Sequence, residues 1–231
     1  MKESEFIDWQ RELKVQRKKD SIFKLFVVIV FIGIIVFLVN GYKKEENIEL
    51  VENLINISEP IQKQTSGSTT VKIDGKEILL TYLATYEISG LVVKTDNYYG
   101  KDIYSQIAPK DVSMVWGFLL EGDNLSKIHF SRIVDRYIMY NTKDSRWLES
   151  VGGWEKVGEC ISNNHLIPSD KNVEKLIKKI KQNEYVKIEG YLISAKEIDG
   201  DFKIASSQTR TDDGNGACEI IYVTNVTWLS K

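Results

Sequence analysis

Two polar stretches in the last third of the chain contain the residue types that covalent catalysis requires. Residues 162–168 (SNNHLIP) contain His165, and residues 206–219 (SSQTRTDDGNGACE) contain Cys218. A thiolate that attacks an acyl group needs a neighbouring imidazole as base and backbone N–H groups as an oxyanion hole. Cys218 and His165 are therefore the candidate catalytic residues, and the glycines of the second stretch would expose such N–H groups.

The same two stretches, which we predict to be loops, are also compatible with a binding surface or with a structural cluster. Loops that collect polar side chains often contain functional sites, whereas arginine–carboxylate pairs often fix loops to each other. The sequence leaves both interpretations open beside the catalytic one. The candidate binding residues are Asn163, Asn164, His165, Arg210, Asp212, Cys218 and Glu219.

Metal binding and a disulfide are further possibilities for the cysteines. Cys160, His165 and Cys218 offer three zinc ligands, but their spacing fits no standard zinc pattern. The acidic residues before Cys218 lack the ligand order of an EF-hand. We therefore predict no metal and no cofactor. A Cys160–Cys218 disulfide stays open, because it requires an exported domain.

The elements that must position these residues are mostly strands. Asp74-Gly75 and Asp199-Gly200 predict hairpin turns, and residues 218–228 (CEIIYVTNVTW) predict a closing strand. Asp170 is a good helix N-cap, and apolar residues follow it at helical spacing. We expect an α+β, β-rich fold: an N-terminal transmembrane helix, then a small β-barrel or curled antiparallel sheet with one packed helix. This resembles the oligonucleotide/oligosaccharide-binding barrel in architecture only.

The N-terminal part of the chain contains a candidate membrane anchor. Residues 25–39 (LFVVIVFIGIIVFLV) have no charged or polar side chain. With flanking residues the segment 22–42 spans about 31 Å as a helix, which matches a bilayer. A buried core helix and a cleaved signal peptide are the alternatives, but the run lacks periodic polar residues and small residues at a cleavage position. An uncleaved signal anchor is the better interpretation.

The flanking charges predict the orientation of this anchor. Six Lys or Arg residues lie between positions 11 and 24, and two follow the segment at positions 43 and 44. The positive-inside rule then places the N-terminus in the cytoplasm and the domain outside, with the protein in the inner membrane. We expect an amphipathic cytoplasmic tail at 1–21, a juxtamembrane helix and linker at 43–68, and an extracytoplasmic domain at 69–231.

The charge distribution argues against nucleic-acid binding. The 231 residues have a formal net charge of −2. The first 24 contain seven basic and five acidic residues, so the other 207 contain 24 and 28, a net charge of −4. A nucleic-acid-binding domain generally shows a basic patch, and none is visible here. The expected partners are the lipid bilayer and another envelope protein, or a second copy through the transmembrane and juxtamembrane helices.

Four stretches of the sequence together resemble a bacterial family of membrane-anchored proteins that has no assigned activity. They are residues 86–93, 111–117, 162–168 and 206–219. The family's members share an N-x-H-x-I-P pattern, here at 163–168, a G-Y-L strand, here at 190–192, and an S-S-x-x-R-x-D-x-G-x-x-A-C-E ending, here at 206–219. The resemblance covers roughly residues 85–226, and it implies that His165, Arg210, Asp212, Gly214 and Cys218 form one unit. Residues 141–158 depart from it, and we expect a variable hairpin there.

These observations favour a single-pass, membrane-anchored envelope protein whose β-rich domain is a binding or assembly module. The alternative is a membrane-tethered cysteine hydrolase that uses Cys218 and His165. Enzymatic activity is therefore left open, with binding the favoured function. The position of His165 relative to Cys218 separates the two hypotheses most directly.

Overall fold

A computed structural model describes residues 57–209 and 217–229, and this part of the chain is β-rich with a few short helices. The strands are β1 (Ile61–Gln64), β2 (Ser68–Ile73), β3 (Lys76–Asn97), β4 (Lys110–Val115), β5 (His129–Val134), β6 (Tyr137–Asn141), β7 (Ile161–Pro168), β8 (Tyr185–Glu197), β9 (Lys203–Ala205) and β10 (Glu219–Trp228). The α-helices are α1 (Ile103–Ile107), α2 (Ser145–Ser150), α3 (Gly153–Gly158) and α4 (Lys171–Lys179).

The expected tail 1–21, the anchor 22–42 and the juxtamembrane helix of 43–56 lie outside the described residues. In the two described ranges, no helix is long and apolar enough to cross a bilayer. The expected linker before residue 69 contains strand β1, which pairs antiparallel with β3. The ordered sheet therefore begins earlier than the polar composition of this stretch suggested.

The main sheet follows the order β1-β3-β4-β7-β10-β8-β9, and β2 also pairs with β3. Strand β3 is 22 residues long, and it pairs with β8 along residues 78–91 and with β4 along residues 91–97. One long strand thus serves two neighbours in succession, which curls the sheet. The expected curled sheet is present rather than a closed barrel.

One pairing departs from the expected antiparallel pattern. Strands β7 and β10 run parallel, with Asn164 opposite Glu219 and His165 opposite Ile220. Parallel neighbours require a long crossover, and here the chain passes through α4, β8 and β9 between them. This pairing brings the two motif-bearing stretches side by side.

Helix α4 is the one predicted from the capping signal, and the prediction is confirmed. The Asp170 side chain accepts hydrogen bonds from the backbone N–H of Asn172 and Val173. At the other end, Nζ of the buried Lys110 donates to the carbonyl of Ile180 at 2.7 Å. This contact satisfies a carbonyl that helix ends leave open, and burial lowers the pKa of Lys110.

Both predicted Asp-Gly hairpins are confirmed, but the hairpin expected near residues 152 and 153 is wrong. Two short helices, α2 and α3, occupy that stretch instead. Asp144 caps α2 by accepting from the backbone N–H of Trp147 at 3.0 Å. The Trp147 ring is buried in an apolar cluster with Val157. A cap and a buried apolar face outweigh the turn tendency of the paired glycines.

Candidate functional site

An open cleft of about 280 Å³ lies where β7 and β10 meet helix α1, strand β9 and the turn between β5 and β6. Its lining residues are Tyr104, Asp135, Arg136, Tyr137, His165, Lys203, Ile204, Ala205, Cys218 and Ile220. The two candidate catalytic residues, His165 and Cys218, therefore share one cleft. His165 lies in β7, and Cys218 immediately precedes the adjacent strand β10. The two side chains face the same side, because His165 opposes Ile220 and side chains two positions apart share a face.

The β5–β6 turn brings an arginine into this cleft. Its central residues, Asp135 and Arg136, both have left-handed backbone conformations, with φ of 48° and 66°. A two-residue hairpin turn of this kind normally uses Asn-Gly or Asp-Gly, since side chains disfavour positive φ. Such backbone strain persists only where surrounding contacts impose it, and it is often found at functional sites.

The contacts of the Arg136 side chain explain how this turn is held. Its guanidinium lies between the rings of Tyr98 and Tyr104, 3.7 and 4.0 Å from their centroids. Nη1 donates to Oδ1 of Asp111 at 2.8 Å, and Nη2 donates to the Ala108 carbonyl at 3.2 Å. Two cation–π contacts and a charge-assisted hydrogen bond offset the strain of the turn.

Asp111 joins this arginine to the candidate histidine. The Asp111 carboxylate is fully buried in strand β4, and its Oδ1 also lies 2.8 Å from Nδ1 of His165. A carboxylate paired with arginine is ionised and can only accept hydrogen bonds. We therefore assign the proton of the neutral imidazole to Nδ1, which leaves Nε2 for a ligand in the cleft.

Two tyrosines enclose the network and stay protonated. The Tyr104 ring meets His165 edge-on, with centroids 5.6 Å apart. Burial raises the pKa of the Tyr104 hydroxyl. The pKa of Tyr98 is also raised, first by burial and then by the neighbouring charge of Asp111. Both phenols are thus neutral hydrogen-bonding groups rather than bases.

Asn163 and Cys218 fix the backbone of the arginine turn. Asn163 Nδ2 donates to the Arg136 carbonyl at 2.6 Å, and its Oδ1 accepts from the Ser113 hydroxyl at 2.6 Å. The Cys218 thiol donates to the same Arg136 carbonyl, with Sγ 3.7 Å from the oxygen. Asn163 is therefore a positioning residue for the turn, whereas Cys218 both contacts the turn and lines the cleft.

The remaining candidate binding residues do not all join this cleft. Asn164 and Glu219 are opposite each other in the β7–β10 pair, and both are completely buried. Side chains alternate along a strand, so these two lie on the face away from His165. Asn164 donates there to the Val112 carbonyl at 2.9 Å. Arg210 and Asp212 lie outside the described residues.

The prediction that residues 162–168 form a loop is wrong. Residues 162–168 form strand β7 rather than a loop, because their amides and imidazole are hydrogen-bonded within the sheet. The other histidine of the chain, His129, is exposed in β5.

The possible Cys160–Cys218 disulfide is absent from the described residues. The parallel register begins with Glu219 opposite Asn164, and its continuation by one residue places Cys218 beside Asn163. Cys160 precedes β7 and is three positions from Asn163. That offset is about 10 Å, too far for the Cα atoms of a disulfide. Nor do the described residues contain a group of three or more His, Cys, Asp and Glu side chains arranged to hold a metal ion.

Several contributors to the site were not among the sequence candidates, including Asp111, Arg136, Lys203 and the tyrosines Tyr98, Tyr104 and Tyr137. One indication for Asp111 was visible in the sequence, since it is a carboxylate next to a mostly apolar stretch. Burying a carboxylate costs free energy unless a partner neutralises it. Arg136 occupies the centre of a strand-like stretch without glycine, so its turn gave no signal. Lys203 adjoins the Asp199-Gly200 hairpin, where a lysine is ordinary.

Comparison with known proteins found no family model, no curated protein and no solved structure that matches this chain. The resemblance to a membrane-anchored bacterial family therefore stays a prediction from the quoted motifs.

Proposed function

We propose that this is a single-pass, membrane-anchored envelope protein whose β-rich domain is a binding or assembly module. The observation that supports a binding role most strongly is the Asp111–His165–Arg136 network at the wall of the cleft. Burying such ionisable groups costs free energy, and a buried ion pair adds little net stability. Polar groups that converge on a cleft are the usual mark of a ligand site, so the cleft is the proposed binding surface.

The sequence supplies the rest of this proposal. The apolar segment 22–42 anchors the chain in the inner membrane, and the charge asymmetry around it leaves the N-terminus inside. The curled sheet, with its few short helices, resembles the oligonucleotide/oligosaccharide-binding barrel in architecture only, a fold that presents ligand sites on a curved sheet. The bound partner is another envelope component, and the transmembrane and juxtamembrane helices offer a second contact through self-association.

Site-specific photo-crosslinking in intact membranes tests the binding role. A benzoylphenylalanine replaces Tyr137 at the cleft in one variant and Glu149, an exposed residue of α2, in the control. We expect an adduct at position 137 that is absent at position 149. No adduct at 137, or equal adducts at both positions, would contradict the proposal. Protease protection of residues 60–231 in spheroplasts would overturn the proposed orientation.

A cysteine hydrolase is the second candidate, because His165 and Cys218 share the cleft and Asp111 orients the imidazole. In that mechanism Nε2 accepts the thiol proton, the thiolate attacks an acyl carbon, and the imidazolium then protonates the leaving group. The observed thiol donates to the Arg136 carbonyl instead. Catalysis would therefore need the thiol to rotate toward Nε2.

The rate at which iodoacetamide alkylates Cys218 distinguishes a cysteine hydrolase from a binding module. In a Cys160→Ser background, an activated thiol should react near neutral pH at least about tenfold faster than its His165→Gln variant, because the imidazole promotes thiolate formation. Equal rates in the two proteins would exclude the hydrolase. Circular dichroism of both variants ensures that folded proteins are compared.

A further inference from the structure

The charges that line the cleft differ from those of the chain around it. After the first 24 residues, acidic residues outnumber basic ones by 28 to 24. Among the described residues that line the cleft the order is reversed, since Arg136 and Lys203 are basic and Asp135 is acidic. The Asp111 carboxylate is engaged by Arg136 and His165 behind the wall. Two basic side chains and a histidine that can take up a proton favour an anionic ligand in the cleft.

Two of these groups are placed to contact a ligand directly. His165 is only 3% exposed, and its Nδ1 is hydrogen-bonded to Asp111. Nε2 is therefore the ring nitrogen that is left to contact a ligand. Lys203 is exposed on β9 and forms no salt bridge within the part of the chain that the structure describes. The guanidinium of Arg136 is held by Asp111 and two tyrosine rings, so it contributes charge rather than a mobile contact.

We propose that the cleft binds a small anionic ligand, whose carboxylate or phosphate group lies between Nε2 of His165 and Nζ of Lys203. This inference rests on the proposed binding function and names the class of its ligand. The anion accepts a hydrogen bond from Nε2–H, so a proton joins Nε2 from solvent or from the acid form of the ligand. The Asp111 carboxylate, 2.8 Å from Nδ1, stabilises the resulting imidazolium by a charge-assisted hydrogen bond. The Tyr104 and Tyr137 rings offer apolar contact to the rest of the ligand.

Histidine-selective NMR tests this directly, because the chain has only two histidines. Full-length protein in detergent micelles, with isotope-labelled histidine, is titrated with inorganic phosphate, with glucuronate as a carboxylate sugar, and with uncharged glucose. We expect a saturable shift of the His165 ring, with Nε2 moving toward the protonated form, on adding phosphate or glucuronate. The exposed His129 ring serves as the internal control and should not follow this curve.

A matched pair of lysine variants tests the second contact. Lys203→Met should weaken the anion affinity about tenfold or more, as expected for loss of a charged hydrogen bond. Lys175→Met, on the exposed face of α4, should leave the affinity unchanged. The inference is overturned if neither anion shifts His165, if glucose shifts it equally, if His129 follows the same curve, or if both lysine variants bind alike.

The two proposals fail in distinguishable ways. A crosslink at position 137 without any anion-dependent shift would leave the binding function in place and exclude this ligand class. Absence of both signals would exclude the cleft as a binding surface.

Discussion

Replacing Asp111 by asparagine is expected to lower the free energy of unfolding by about 3–5 kcal/mol, the cost of breaking a buried ion pair. Asp111 is fully buried and its Oδ1 accepts from both Arg136 and His165. Without the carboxylate, the guanidinium of Arg136 keeps its charge in a site that no longer neutralises it. The melting temperature should fall by about 6–20 °C for a domain of this size.

Asp123→Asn is the matched control for this variant. The Asp123 side chain is 76% exposed and pairs with Lys127 at the surface. Exposed pairs contribute about 1 kcal/mol or less. Chemical denaturation of both variants gives the comparison, and similar small losses would show that Asp111 does not stabilise the arginine turn.

Gly190→Ala is expected to destabilise the sheet by about 2–3 kcal/mol, the upper part of the usual range for overpacking. A Cβ atom at this position would lie 2.1 Å from the backbone oxygen of Tyr222 in the neighbouring strand. A backbone oxygen cannot rotate away, so β8 and β10 must separate. The same pairing supports the start of β10, where Cys218 enters the cleft.

Gly158→Ala provides the comparison for this effect. Its added Cβ would lie 3.8 Å from the Tyr140 hydroxyl, an ordinary contact, at the end of helix α3. Alanine favours helix over glycine, so the melting temperature should stay the same or rise slightly. Equal losses in the two alanine variants would contradict the close approach at Gly190.

Most strands could be predicted because their signals are local. The Asp-Gly turns and the apolar run of β10 depend on neighbouring residues, and so does the Asp170 cap of α4. Strand β7 was missed for a physical reason, since polar side chains usually indicate loops unless partners satisfy them. Those partners, Ser113 for Asn163 and Asp111 for His165, come from β4, about 50 positions earlier.

Only the part of the candidate site that has a local sequence signal could be predicted. The sequence suggested that His165 and Cys218 act together, and the parallel β7–β10 pair places both in one cleft. Nothing local indicated that Arg136 would join them, because its turn has no glycine and its partners lie in other segments. Asn164 and Glu219 lie on the face of the sheet away from His165. Only the strand register shows this, and a stretch predicted to be a loop has no register.

The protonation of His165 is the most direct test of the central claim, which is that Asp111 holds this imidazole so that Nε2 faces the cleft. Nitrogen-15 spectra of the histidine-labelled, ligand-free protein at about pH 8 report which ring nitrogen carries the proton. We predict a proton on Nδ1 and a lone pair on Nε2 for His165, with the exposed His129 as reference. A His165 signal with Nδ1 unprotonated would contradict the account.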